Sequence, residues 1–211
     1  MAKREGEKLY HVLRFLLGPL YKLYYGPKVI GKENIPKEGA IIIAGNHKHT
    51  FDQFNVAIAT KRPLHYIAKK EYFDGTASFF SDKPSPIGTT ISKWLIKTVG
   101  CISVDRSKKD IEATEQALDI LKNEGAIGLF PEGTRNKTDA FLLPFKFGVV
   151  SMASKSEATI VPFGVTGKYK FRSKDLMIRF GKPFKIGKMT LEEANKKLEE
   201  EVSKLMKKNI K

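Results

Sequence analysis

A chain of 211 residues, 41% hydrophobic and 29% charged, is long enough for one sizeable domain and short for two, and its composition supports a globular core, so disorder is not the default. Its 38 Lys and Arg against 23 Asp and Glu give a formal charge of +15. That balance asks for an anionic partner: nucleic acid, an anionic membrane surface, a phosphate-bearing substrate or an acidic carrier protein. A single cysteine, Cys101, excludes an internal disulfide.

The first segment, residues 1–27, has helical periodicity. Leu9, Val12, Leu13, Leu16, Leu17, Leu20, Leu23 and Tyr24 share one side, while Lys8, His11, Arg14, Gly18 and Lys22 lie elsewhere. Pro19 is expected to kink it. The interruptions at His11, Arg14 and Lys22 leave no run of about 20 apolar residues, and no cleavable signal pattern is present. A broad apolar stripe flanked by cations and tyrosines suits an amphipathic helix lying in a membrane interface; a helix packed on the core is the other reading.

Residues 28–211 form the main domain. A linker from Gly31 to Gly39 is followed by short apolar runs at Ala40–Ala44, His65–Ala68, Cys101–Val104, Ala126–Phe130 and Ile160–Val165, which read as strands buried on both faces. Helical patterns intervene: Ile111, Thr114, Ala117, Leu118 and Leu121 share a face, and Thr190-Leu191-Glu192-Glu193 is a capping box opening a C-terminal helix. Alternating strands and helices predict an α/β fold with a mostly parallel central sheet flanked by helices. Lys170–Phe180 reads as a late hairpin, and Asp74–Thr90 as a long irregular loop of the kind that is usually functional.

Three polar clusters follow strands. They are Gly45 to Asp52, Asp105-Arg106, and Pro131-Glu132-Gly133-Thr134-Arg135. If the strands are parallel, all three project toward one sheet edge, where α/β folds place their ligands. His47 and Asp52 are five apart, about 140° around a continuous helix, so a helix alone does not pair them. They meet if His47 sits in the strand-to-helix turn and Asp52 in the first helical turn. Asp52 then orients one imidazole nitrogen and leaves the other as a general base. Cys101 lies in an apolar strand pattern and reads as an inert thiol. With no activated nucleophile, the attacking group is expected to be a substrate hydroxyl. Arg106 and Arg135 suit an anion, with Lys108 and Lys109 extending the basic patch. Gly133 allows close backbone approach. Glu132 either pairs with an arginine or binds a substrate hydroxyl.

These clusters, in this order, resemble the 1-acylglycerol-3-phosphate acyltransferase family of glycerolipid acyltransferases. Asn46-His47-Lys48-His49-Thr50-Phe51-Asp52 is similar to its N-H-x4-D block, and Val99 to Arg106 to its second block. Phe130-Pro131-Glu132-Gly133-Thr134-Arg135 is a full F-P-E-G-T-R, and Ile160-Val161-Pro162-Phe163 resembles the fourth block. The resemblance covers about residues 28 to 185. It implies His47 as base and Asp52 as its orienter. It also implies that Arg106, Glu132 and Arg135, with Gly133 and Thr134 of the same block, hold the glycerol-phosphate end. Lys48, where this chain departs from the family pattern, is expected to add to phosphate binding. The second histidine, His49, lacks an Asp five residues on and is the lesser candidate for the base.

The implied reaction moves a fatty acyl group from acyl-coenzyme A or acyl carrier protein to lysophosphatidic acid, giving phosphatidic acid, with no cofactor and no metal. Other acceptors within reach of the same motifs are glycerol-3-phosphate and other lysophospholipids. The expected location is the membrane, at its cytoplasmic face, against anionic lipid. A nucleic-acid-binding protein is the distant alternative, and no recognised DNA- or RNA-binding motif is present.

Overall fold

The computed structural model describes residues 5–78, 83, 85–105, 107 and 110–207. In chain order the helices are α1 Glu5–Tyr25, α2 Asp52–Ala59, α3 Lys70–Asp74, α4 Pro86–Thr98, α5 Ile111–Lys122, α6 Gly148–Ser156 and α7 Leu191–Lys207. The strands are β1 Lys28–Ile30, β2 Ile41–Gly45, β3 Leu64–Lys69, β4 Ile102–Val104, β5 Ala126–Leu129, β6 Thr159–Thr166 and β7 Met177–Phe180. They form one sheet in the order β1-β7-β6-β2-β5-β3-β4. Every pairing is parallel except β6 with β7.

The isoleucine run explains why β2 is central. Successive strand residues point to opposite faces, so a strand covered on both sides is apolar throughout. Ile42 and Ala44 join a core with Ala117 and Leu121 of α5, Val149 and Val150 of α6, and Leu198 and Val202 of α7. Ile41 and Ile43 join a second core with Tyr10 of α1, Val56 of α2, Val161 and Phe163. The helix ends follow their capping residues. Asp110 Oδ1 accepts from Ala113 N at 3.0 Å at the start of α5. Before α7, Glu193 N donates to Thr190 Oγ1 and Thr190 N to Glu193 Oε2, the reciprocal pair expected of a capping box.

Two sequence expectations change. The Lys170–Phe180 hairpin is instead a hairpin of β6 and β7, with Lys170 to Leu176 inside its connecting loop. Both strands are buried on both faces, and burial carries no sense of direction, so periodicity did not reveal the antiparallel pair. Asp74–Thr90 is less irregular than expected. Asp74 ends α3, and Pro86 to Thr90 form the first turns of α4, capped by Ser85 Oγ accepting from Gly88 N at 3.1 Å. Proline at the first helical position, read as a loop signal, serves here as a helix start.

Helix α1 continues through Pro19. It docks through Tyr10, Arg14, Gly18 and Tyr21, which share one face. Arg14 donates Nε to Ala57 O at 3.2 Å and Nη2 to Ile58 O at 3.3 Å, placing a cation at the C-terminal carbonyls of α2. Tyr21 donates its hydroxyl to Asn55 Oδ1 at 2.9 Å. The opposite face carries Phe15, Leu16, Leu20 and Leu23, exposed by 79, 57, 62 and 68%. Arg14 and Tyr21 therefore face the protein while these four apolar side chains, with Lys8, His11 and Lys22, are exposed, and an apolar face turned outward is unlike a helix covering a soluble core. Helix α4 shows a second exposed stripe, Ile87, Ile91 and Trp94. Among the described residues, no helix is long and apolar enough to cross a membrane.

Candidate active site

The chain leaves β2 through Gly45. A Cβ there would stand 2.1 Å from Phe163 O, so only glycine allows β2 and β6 to approach so closely at this point. The buried Asn46 then locks the turn to β6, donating Nδ2 to Val165 O at 2.9 Å and accepting from Val165 N at 2.7 Å. His47 lies in the strand-to-helix turn and Asp52 is the first residue of α2. This is the arrangement their spacing required. Asp52, fully buried, takes His47 Nδ1 at 3.0 Å on Oδ2. The same oxygen accepts Lys48 N and His49 N, each at 2.7 Å. A carboxylate only accepts, so Nδ1 carries the ring proton and Nε2 keeps a lone pair able to accept one. Phe130 stacks on the imidazole at 3.9 Å between ring centres, holding its plane.

Glu132 organises this turn from the far side. Its Oε1 accepts His47 N at 2.7 Å and its Oε2 accepts Leu143 N at 3.0 Å. Burial pushes its carboxyl above the usual range, against the pull of those two amides. Both oxygens are thus engaged with backbone amides, one of them that of His47, a geometry that suits positioning. Asn136 N, donating to His47 O at 2.7 Å, closes the same junction. Arg135 Nη1 reaches Thr50 Oγ1 at 2.5 Å. Gly133 has φ +70, and a Cβ there would stand 2.9 Å from Lys146 Nζ, so the glycine also makes room for this cation. Thr134 and Lys48 are exposed.

His49 is occupied differently. Its ring stacks on Tyr169 at 4.0 Å and its Nδ1 accepts Phe51 N at 3.2 Å. Burial lowers its pKa. Desolvation pushes the Cys101 thiol up to about 12, which keeps it from acting as a thiolate. Among the described residues, no three His, Cys, Asp or Glu side chains are grouped to hold a metal ion.

His47 opens into a cavity of about 1650 Å³. One wall is apolar, with Leu17, Phe54, Ile96, Val99, Leu129 and Met152, and it runs from α1 across α2 and α4 to the sheet. The lining also carries Lys69, Arg135, Lys137 and Lys146, with Glu71 and Asp105. The His47 imidazole thus opens into a chamber whose wall is largely apolar and whose lining also carries several cations.

Residues 26–166 match the family model described as Acyltransferase, well over half of the chain. The chain belongs to the acyltransferase family. A 1-acyl-sn-glycerol-3-phosphate acyltransferase of Bacillus subtilis is 28% identical over 166 residues, covering 75% of this chain and 73% of the relative. Proteins of that name from Saccharomyces cerevisiae and Borreliella burgdorferi are each 31% identical over 74% and 72% of this chain, which spans 46% and 56% of their lengths. The crystal structure of the 1-acyl-sn-glycerophosphate acyltransferase PlsC from Thermotoga maritima shares the fold. Its TM-score is 0.68 at 24% identity, over 97% of this chain and 81% of that one.

In this acyltransferase the first and third sequence clusters meet directly, through Glu132 on His47 and Arg135 on Thr50. Asp105 of the second cluster lines the same cavity. Arg106, Lys108 and Lys109 lie outside the described residues. Sequence reasoning missed Tyr169, which donates to Asp52 Oδ1 at 2.6 Å from 117 residues away. Nothing local marks it. It also missed the outward stripe of α4, which was readable as Ile87, Ile91 and Trp94 at i, i+4 and i+7 after a Ser-Pro helix start.

Proposed function

We propose that the enzyme transfers a fatty acyl group from an acyl thioester, on coenzyme A or acyl carrier protein, to the free hydroxyl of lysophosphatidic acid, giving phosphatidic acid. The observation that carries this reading is His47, its Nδ1 committed to Asp52, opening into a large, mostly apolar chamber whose lining also carries Arg135, Lys137 and Lys146. The names of the relatives support this choice of acceptor. His47 Nε2 takes the proton of the acceptor hydroxyl as its oxygen attacks the thioester carbonyl. The tetrahedral intermediate collapses with cleavage of the carbon–sulfur bond, and the thiolate leaves, taking the proton back from His47. A positioned base contributes about 10²–10⁴-fold, and holding both substrates in register adds up to about 7–11 kcal/mol.

Arg135 and Arg106, with Lys48, hold the phosphate. Gly133 and Thr134 shape its approach, and Glu132 serves that end by fixing the His47 backbone. The chamber exceeds the roughly 300–1,000 Å³ of ordinary ligand pockets, as two lipid-bearing substrates require. The enzyme sits on an anionic membrane through the outward leucines of α1, joined by Ile87, Ile91 and Trp94 of α4. Substrate then enters from the bilayer, since α1 also lines the chamber.

The test is thiol release from acyl-coenzyme A, or from acyl carrier protein, with lysophosphatidic acid, glycerol-3-phosphate or a zwitterionic lysophospholipid. Wild type and His47→Ala are run in parallel. Release with lysophosphatidic acid by wild type alone supports the reading. Release with another acceptor keeps the mechanism and changes the substrate. Equal release by His47→Ala removes His47 from the chemistry.

A further inference from the structure

Asp52 has a second oxygen, and the acyl-transfer mechanism above makes no use of what binds it. Oδ1 accepts the Tyr169 hydroxyl at 2.6 Å. That hydroxyl in turn accepts from Asn55 Nδ2, and Asn55 Oδ1 accepts the Tyr21 hydroxyl at 2.9 Å. The chain has one direction throughout. Tyr21 donates to Asn55, Asn55 to Tyr169 and Tyr169 to Asp52, which holds the proton of His47 Nδ1. Burial and then the charge of Asp52 push the Tyr169 phenol far above its usual range, so it stays a donor at any working pH.

The chain begins on α1. The loop that carries Tyr169, between β6 and β7, is also held by the end of that helix. Arg172 N donates to Tyr24 O at 2.6 Å and Ser173 N to Tyr25 O at 3.0 Å. Phe171 packs edge-on against Tyr24, and Tyr169 against Tyr25. Helix α1 therefore reaches Asp52 by two routes, through Tyr21 and through the loop. Its opposite face is the exposed leucine stripe.

We propose that Tyr169 is a positioning residue for the His47–Asp52 dyad, and that the Tyr21–Asn55–Tyr169 chain makes the dyad's geometry depend on the seating of α1. Asp52 Oδ2 takes three donors from its own turn, which fix one oxygen and leave the carboxylate free to rotate about it. The Tyr169 bond to Oδ1 sets that rotation and so the line from Oδ2 to His47 Nδ1. The groups around Asp52 that titrate or carry charge are His47 and His49 from the β2–α2 turn, Tyr21 from α1, Tyr66 from β3 and Tyr169 itself. Losing the hydroxyl makes the carboxylate a stronger proton acceptor, so the acid limb of the pH–rate profile moves to higher pH.

This rests on the acyl-transfer reading for its kinetic arm only. In Tyr169→Phe, which keeps the ring against His49, kcat falls about tenfold or more, the range for a hydrogen bond to a charged group, while acceptor KM stays put. Tyr21→Phe moves kcat and the acid limb the same way by less, and it decides the matter if Tyr169→Phe does not fold. A second arm needs no turnover. In protein labelled with 15N-histidine, the His47 Nδ1–H signal, slow to exchange in wild type, broadens or vanishes in both variants. Wild-type kcat, profile and Nδ1–H signal would overturn the proposal. So would a lowered kcat with an unmoved acid limb and an intact signal, the outcome of a merely structural tyrosine. A wild type that releases no thiol defeats the acyl-transfer reading instead, and the labelled protein still decides this one.

Discussion

Asp52→Asn isolates charge from shape. The amide oxygen can keep the three donors that Asp52 Oδ2 now holds, His47 Nδ1 and the Lys48 and His49 amides, while the NH2 replaces Oδ1 beside Tyr169. The turn survives, but the negative charge beside His47 is gone. As His47 accepts a proton in the transition state, a unit pair at 3.0 Å is worth about 5.5 kcal/mol at an effective dielectric of about 20. That corresponds to a loss of about 10⁴ in kcat. The size agrees with the general rule for exchanging the orienting carboxylate of a catalytic histidine for its amide. Thiol release at saturating acyl-coenzyme A gives kcat, and titration of the acceptor gives KM, which stays within about twofold because Asp52 is buried away from the substrate. Asp52→Ala is the wrong probe, since it strands two amides and a tyrosine hydroxyl at about 1–3 kcal/mol each. If Asp52→Asn kept more than about a tenth of wild-type kcat, the charge of Asp52 would not be what supports His47.

Arg135→Ala removes a bidentate cation from the cavity rim and raises acceptor KM by about tenfold or more with a smaller change in kcat; an unchanged KM removes its phosphate role. Leu16→Glu with Leu20→Glu charges the outward face of α1, so co-sedimentation with anionic vesicles is lost while stability moves by no more than about 0.5 kcal/mol per site; retained binding refutes the membrane seat of α1. Glu132→Gln turns an NH2 toward either His47 N–H or Leu143 N–H and lowers stability by about 1–3 kcal/mol in denaturant titration; an unchanged midpoint denies Glu132 its clamping role. The same residue sets a pH dependence. Its raised carboxyl holds a proton in the folded state after the unfolded chain has lost it, so its contribution is full below the ordinary glutamate range and fades as pH rises through the raised value. Melting temperatures from about pH 4 to 7 should therefore fall more steeply in wild type than in Glu132→Gln, and parallel curves refute the shift.

Local pattern alone determined several features of this protein. The three isoleucines of β2 required a strand covered on both faces, because side chains alternate. The capping box fixed the start of α7. The five-residue interval from His47 to Asp52 required a strand-to-helix turn, because no continuous helix brings those positions together. In each case the partners are close in sequence, so backbone geometry settles the outcome.

Tertiary structure decided the rest. The direction of β7 against β6 is invisible to periodicity, since burial on both faces erases alternation in either sense. The face of α1 that docks was open until α2 offered its last carbonyls to Arg14 and Asn55 to Tyr21. Glu132, readable as a substrate ligand, is engaged at the backbone of His47 because β5 lies beside β2. Tyr169 reaches Asp52 only because the β6–β7 loop folds back over α2, a contact set by sheet order and not by any spacing along the chain.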